Sequence, residues 1–83
     1  MPLFMDVHHI EGEVSAMDVA KAHAADVETQ GKYGVDYKRY WVDEKAGKIF
    51  CLVEAERAED AVRVHREAHG LVADEIYAVG EYN

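Results

Sequence analysis

One cysteine, Cys51, and one proline, Pro2, are all that 83 residues hold of either. A lone cysteine excludes an intrachain disulfide, and nothing in the chain points to an oxidising compartment. With its only proline at position 2, the chain carries no breaker inside any periodic segment. No run approaches the ~20 apolar residues of a membrane span. The start, MPLFMDVHHIEGE, lacks the basic residues and apolar stretch of a secretory signal. Basic residues are scarce as well: nine Lys and Arg face 17 Asp and Glu, a net charge of −8. That balance disfavours nucleic acid and anionic membranes as partners and favours cations. There is no Gly-rich phosphate loop and no Ser-His-Asp set in a recognisable context. A cytoplasmic setting is the expectation.

What is present suffices for one domain, residues 1–83. The apolar fraction of 49% is that of a globular chain. Five histidines are a dense supply of a common metal ligand. Alternation predicts a strand over Leu3 to Ile10, with Leu3, Met5 and Val7 on the apolar face and Phe4, Asp6, His8 and Ile10 on a mixed one. Ser15 can cap a helix over Ala16 to Gln30 that buries Met17, Ala20, Ala24 and Val27. VDYKRYWV and KIFCLVEA, joined by the turn-rich DEKAG, read as a hairpin. In KIFCLVEA the compact residues Ile49, Cys51, Val53 and Ala55 suit a helix-covered face, which leaves Phe50, Leu52 and Glu54 on the other. A second helix, Ala58 to His69, presents Ala58, Ala61, Val62, His65 and His69 along one side, and Gly70 suits its C-terminal end. A last strand, Glu75 to Val79, completes βαββαβ, the ferredoxin-like α+β plait: a four-stranded antiparallel sheet with two helices on one face.

The uncovered face would then show Phe4, Ile10, Phe50 and Leu52, joined by Tyr37 with Trp41 or by Tyr40 with Val42. A contiguous apolar patch of that kind is rarely left bare, so a homodimer stacked sheet to sheet is expected.

Two groups could hold a metal ion. His65 and His69 stand four apart on one helix side, with Cβ atoms about 5–6 Å from each other, and imidazole suits Zn, Ni, Cu or Co. Against this, His69 lies where a histidine simply favours the helix dipole, and His65 can be a core residue bonded to a backbone carbonyl. Asp6 and His8 share the mixed face of the first strand. Glu54, on the neighbouring central strand, would join them at the dimer seam. Carboxylates among apolar groups need a compensating cation, although a salt bridge to Lys38 or Arg39 would serve too. His8 and His9, as strand neighbours, point to opposite faces. His23 can face His65 across the sheet but reads better as a helix-packing histidine, and Cys51 reads as an inert core thiol.

The blocks MPLFMDVHH, KYGVDYKRYWVDEKAGKIFCLVEA and VHREAHGLVADEIY resemble a small bacterial ferredoxin-like family, formerly of unknown function, with nickel-binding members. The resemblance spans nearly the whole chain. It implies a dimeric plait binding Ni²⁺ through histidine and oxygen, with Asp6, His8, Glu54, His65 and His69 as the ligands that match. Nickel comes from the resemblance; spacing alone says a divalent ion, with Zn²⁺, Cu²⁺ or Co²⁺ equally suited. The contrasting reading is a cofactor-free enzyme of the small dimeric monooxygenase or isomerase type. It would need a cavity between sheet and helices with His65, His23 or Tyr40 as acid or base.

Overall fold

Ser15 takes an extended conformation and its Oγ accepts from the N–H groups of Met17 (3.1 Å) and Asp18 (3.3 Å). These are donors that a helix start otherwise leaves without partners. In the computed structural model, which covers residues 1–83, this cap opens α1 (Ala16–Thr29). Around it the chain forms β1 (Leu3–His9), a 3-10 turn at Gln30–Tyr33, β2 (Asp36–Asp43), β3 (Lys48–Glu54), α2 (Ala58–Ala68) and β4 (Glu75–Val79). The antiparallel sheet runs β2-β3-β1-β4. The expected plait is therefore the fold.

The hairpin turn needs Gly47. Its φ is +69°, and an added Cβ would run into the carbonyl oxygens of Ile10 and Gly12. Gly70, at φ +81°, closes α2 by donating its N–H to the His65 carbonyl (2.9 Å). Both helices pack on one sheet face, where Val19, Ile49, Cys51, Val53, Ala55, Ala61 and Val64 form the core with Val35 and Tyr37. Val53 and Val64 are fully buried, each worth roughly 1.5–3 kcal/mol relative to exposure.

Three expectations about faces are corrected. In β1 it is Phe4, Asp6 and His8 that lie under the helices: Asp6 pairs with Cys51 and Phe4 with Val53, both on the helix side. Leu3, Met5 and Val7 take the uncovered face. In α1 the inward residues are Val19 and Asp26, whereas Met17 is 69% and Val27 47% exposed. In β2 a register shift between Tyr37 and Arg39 changes the alternation, so Tyr37 and Tyr40 both face the helices and Trp41 does not. The uncovered face still carries an apolar patch: Leu3, Met5, Val7, Trp41, Phe50, Leu52 and Tyr77.

Candidate metal centre

The corrected faces bring Asp6 and His8 of β1 beneath α2, where His65 points inward. Asp6, His8 and His65 are each 1–2% exposed, and Asp26 of α1 is 3% exposed. Four polar side chains this deep must satisfy one another. His65 does most of it. Its Nδ1 lies 2.9 Å from Asp26 Oδ1 and its Nε2 2.9 Å from Asp6 Oδ2. Tyr37 donates its hydroxyl to the same Asp6 Oδ2 (2.7 Å), and its ring stacks on the His65 imidazole at 4.5 Å. One histidine thus ties α2 to α1 and to β1.

The electrostatics follow from that geometry. Burial alone would raise the Asp6 carboxyl. The hydrogen bonds and charge of His65, with His8 and Tyr37, outweigh it and hold Asp6 well below the usual carboxylate range. Burial pulls His65 down, but hydrogen bonds and charges from Asp26 and Asp6 reverse this and raise it to about 9. His65 at neutral pH is therefore an imidazolium held between the Asp6 and Asp26 side chains. His69, lowered first by burial and then by the nearby His65 charge against the pull of Asp26, stays neutral.

Satisfaction is incomplete. Asp6 Oδ1, His8 Nδ1 and His69 Nε2 are buried without a hydrogen-bond partner. His8 Nε2 is 3.3 Å from Asp6 Oδ1, and His69 Nε2 is 3.0 Å from Asp26 Oδ1. Those are ion-pair distances without the alignment of a hydrogen bond. Buried carboxylate oxygens and imidazole nitrogens without partners are the donor types that suit a divalent cation. Two overlapping groups have their ligand atoms within 4.8 Å of one another: Asp6, His8, Cys51 and His65, and Asp26, His65 and His69. A cavity of about 90 Å³ adjoins them, bounded by His8, Asp26, Cys51, His65 and His69 at depth and by Asp18, His23 and Leu71 toward solvent.

Of the residues singled out by sequence, Asp6, His8 and His65 come together, and His69 stands beside them with ring centroids 4.9 Å from His65. Glu54 does not join them. It lies on the opposite sheet face, where its Oε1 is 3.3 Å from Lys38 Nζ, the salt-bridge alternative. The shared cluster of Asp6, His8 and Glu54 at a dimer seam is thereby replaced by one beneath the helices. His8 and His9 do diverge: His9 is exposed and bonds Glu75 at 2.8 Å. Asp26 and Tyr37 join the site although no motif in the sequence marks them for it, and Cys51, a core thiol by sequence, borders it. Asp26 follows His23 by three residues, and that spacing was its one available signal.

No helix is long and apolar enough to cross a membrane. No curated protein matches the chain. A crystal structure of SCO4226 from Streptomyces coelicolor A3(2) is similar to it at 36% identity with a TM-score of 0.90, covering 98% of this chain and 99% of that one. The family model described as nickel responsive protein SCO4226-like matches residues 4–79. With that match across almost all of its length, the chain belongs to the nickel responsive SCO4226-like family.

Proposed function

We propose that this chain binds Ni²⁺ in the buried cluster around His65 and serves to sequester, deliver or sense the ion, as a cytoplasmic homodimer. One observation carries the reading: Asp6 Oδ1 and His8 Nδ1 are buried without hydrogen-bond partners in the cluster beside His65. Uncompensated groups at that depth cost about 1–3 kcal/mol each, more if charged. A divalent cation removes that cost. With an ion bound, His65 Nε2 would supply its lone pair, the displaced proton leaving to solvent through the adjoining cavity. Its Nδ1–H stays on Asp26, the carboxylate–histidine–metal arrangement that orients a ligand ring. The family's nickel-responsive character supports Ni²⁺ over Zn²⁺, Cu²⁺ or Co²⁺.

Elemental analysis and calorimetric titration of untagged, metal-stripped protein test this. One tightly held ion per chain is expected, because both candidate groups need His65. Absence of uptake of all four metals would sink the reading. The cavity gives the enzyme alternative its one specific support, since His65, His23 and Tyr40 all border it. At about 90 Å³, however, it falls well short of the roughly 300–1,000 Å³ of small-molecule sites. An ion with a few waters fits it better than an organic substrate.

A further inference from the structure

We propose that the Cys51 thiol is itself a metal ligand, completing a mixed set of sulfur, nitrogen and oxygen with Asp6, His8 and His65. This rests on the metal-binding reading above and says which atoms do the binding. The register puts it there. Cys51 is the direct cross-strand partner of Asp6 on the central strand pair, so both side chains rise from the same face toward α2. The Cys51 Sγ and one donor atom each from Asp6, His8 and His65 lie within 4.8 Å of one another, and all four residues are buried. The sulfur is not the sole indication. Asp6 Oδ1 and His8 Nδ1, on residues 1% and 2% exposed, are the unpartnered atoms of this same group.

The competing group is less well prepared. Asp26 already accepts the His65 Nδ1 hydrogen bond. His69 Nδ1 accepts the Leu71 backbone N–H at 3.1 Å, so neutral His69 carries its proton on Nε2, the nitrogen nearest Asp26. To bind through Nε2, His69 would have to change tautomer and lose that bond. Asp26 and His69 are therefore the outer support, and the set with Cys51 is the inner one.

The step involves no oxidation or reduction. As the Sγ–metal bond forms, the S–H proton leaves through the cavity that Cys51 borders, and the thiolate lone pair goes to the ion. In the metal-free chain, burial, with the neighbouring Asp6 carboxylate, pushes the thiol far up, so it waits as S–H. A coordinating thiol is deprotonated by the ion itself. One sulfur among two imidazoles and a carboxylate turns the site toward Ni²⁺, Zn²⁺ and Co²⁺ and away from Mg²⁺, Ca²⁺ and Mn²⁺.

X-ray absorption on the full-length, zinc-loaded parent tests this without any substitution. The expected shell holds one sulfur at about 2.3 Å with nitrogen and oxygen at about 2.0–2.2 Å. Nickel and cobalt forms should show a thiolate charge-transfer band. In Cys51→Ala, checked for native circular dichroism, that band should vanish and affinity should fall by at least the roughly 10–100-fold that loss of an outer-shell partner costs. A loaded parent with a nitrogen and oxygen shell and no sulfur overturns the Cys51 assignment while leaving metal binding intact. A parent that takes up none of these ions overturns both.

Discussion

At the scale of single residues, His65 decides most of the behaviour. Truncating it strands the Asp6 and Asp26 carboxylates, which it bridges at 2.9 Å on either side. Loss of one partner from a buried ion pair costs about 3–5 kcal/mol. His65→Ala should therefore lose both fold stability and nickel, and by itself cannot separate the two. His8→Ala is the cleaner probe, because the His8 ring makes one misaligned polar contact, with Asp6, and otherwise packs edge-on against His65. It should weaken nickel by at least about 10-fold while the denaturation midpoint moves far less than in His65→Ala. Glu54→Gln is the contrasting substitution. With Glu54 on the far side of the sheet beside Lys38, nickel affinity should not change. A calorimetric isotherm weakened by Glu54→Gln but not by His8→Ala would refute this placement.

At the scale of elements, the triad clamps β1, α1 and α2 together, and its protonation sets when the clamp holds. His65 is raised from 6.5 to about 9 in the fold. Its contribution is then fully present below pH 6.5 and is lost as pH rises through 9. By the linkage relation that is on the order of 3 kcal/mol. Asp6 is depressed below 3.8, so its contribution is present above that value and disappears as acid protonates it. Metal-free protein should melt highest between about pH 4 and 6.5 and lower by on the order of 10 °C at pH 9. Calorimetry of stripped protein checks this, and a flat profile from pH 6 to 9 would contradict it. The same raised value shifts the competition between proton and metal. Ordinary histidines predict binding that weakens below about pH 6.5; with His65 at about 9, affinity should already decline from pH 9 downward.

The elements also show what could be read from the sequence. Order, approximate bounds and caps were legible because Ser15, Gly47 and Gly70 act locally. Faces were harder. Leu3, Met5 and Val7 form the uniformly apolar face, which suggests the covered side, and Phe4, Asp6, His8 and Ile10 form the mixed face, which suggests the dimer seam. The polar half is buried because its partners, His65, Asp26 and Tyr37, come from three other elements, a coincidence that no local pattern reports. Asp26 hid the inward side of α1 in the same way. The register shift after Tyr37 erased the alternation that would have assigned the β2 aromatics.

At the scale of the whole molecule, the uncovered sheet face remains. Val7 and Leu52 are already 7% and 6% exposed within one chain, whereas Trp41 and Tyr77 at its margins are 48% and 50% exposed. We propose this face as the homodimer contact, because it carries Trp41 and Tyr77 about half exposed beside other apolar residues and no helix covers it. Light scattering should give twice the chain mass for the parent and a single chain mass for Leu52→Arg, which should still bind nickel. A monomeric parent would end the dimer proposal without touching the metal centre.

The cavity reaches solvent past Asp18, His23 and Leu71 on the helical side, and the bare face looks the other way, one strand layer beneath. In a pair joined back to back, the two mouths would open in opposite directions. Each could meet its own donor or acceptor, and neither would feel its twin fill. Uptake should then follow a simple hyperbola with a Hill coefficient of about one, graded with supply instead of triggered at a threshold.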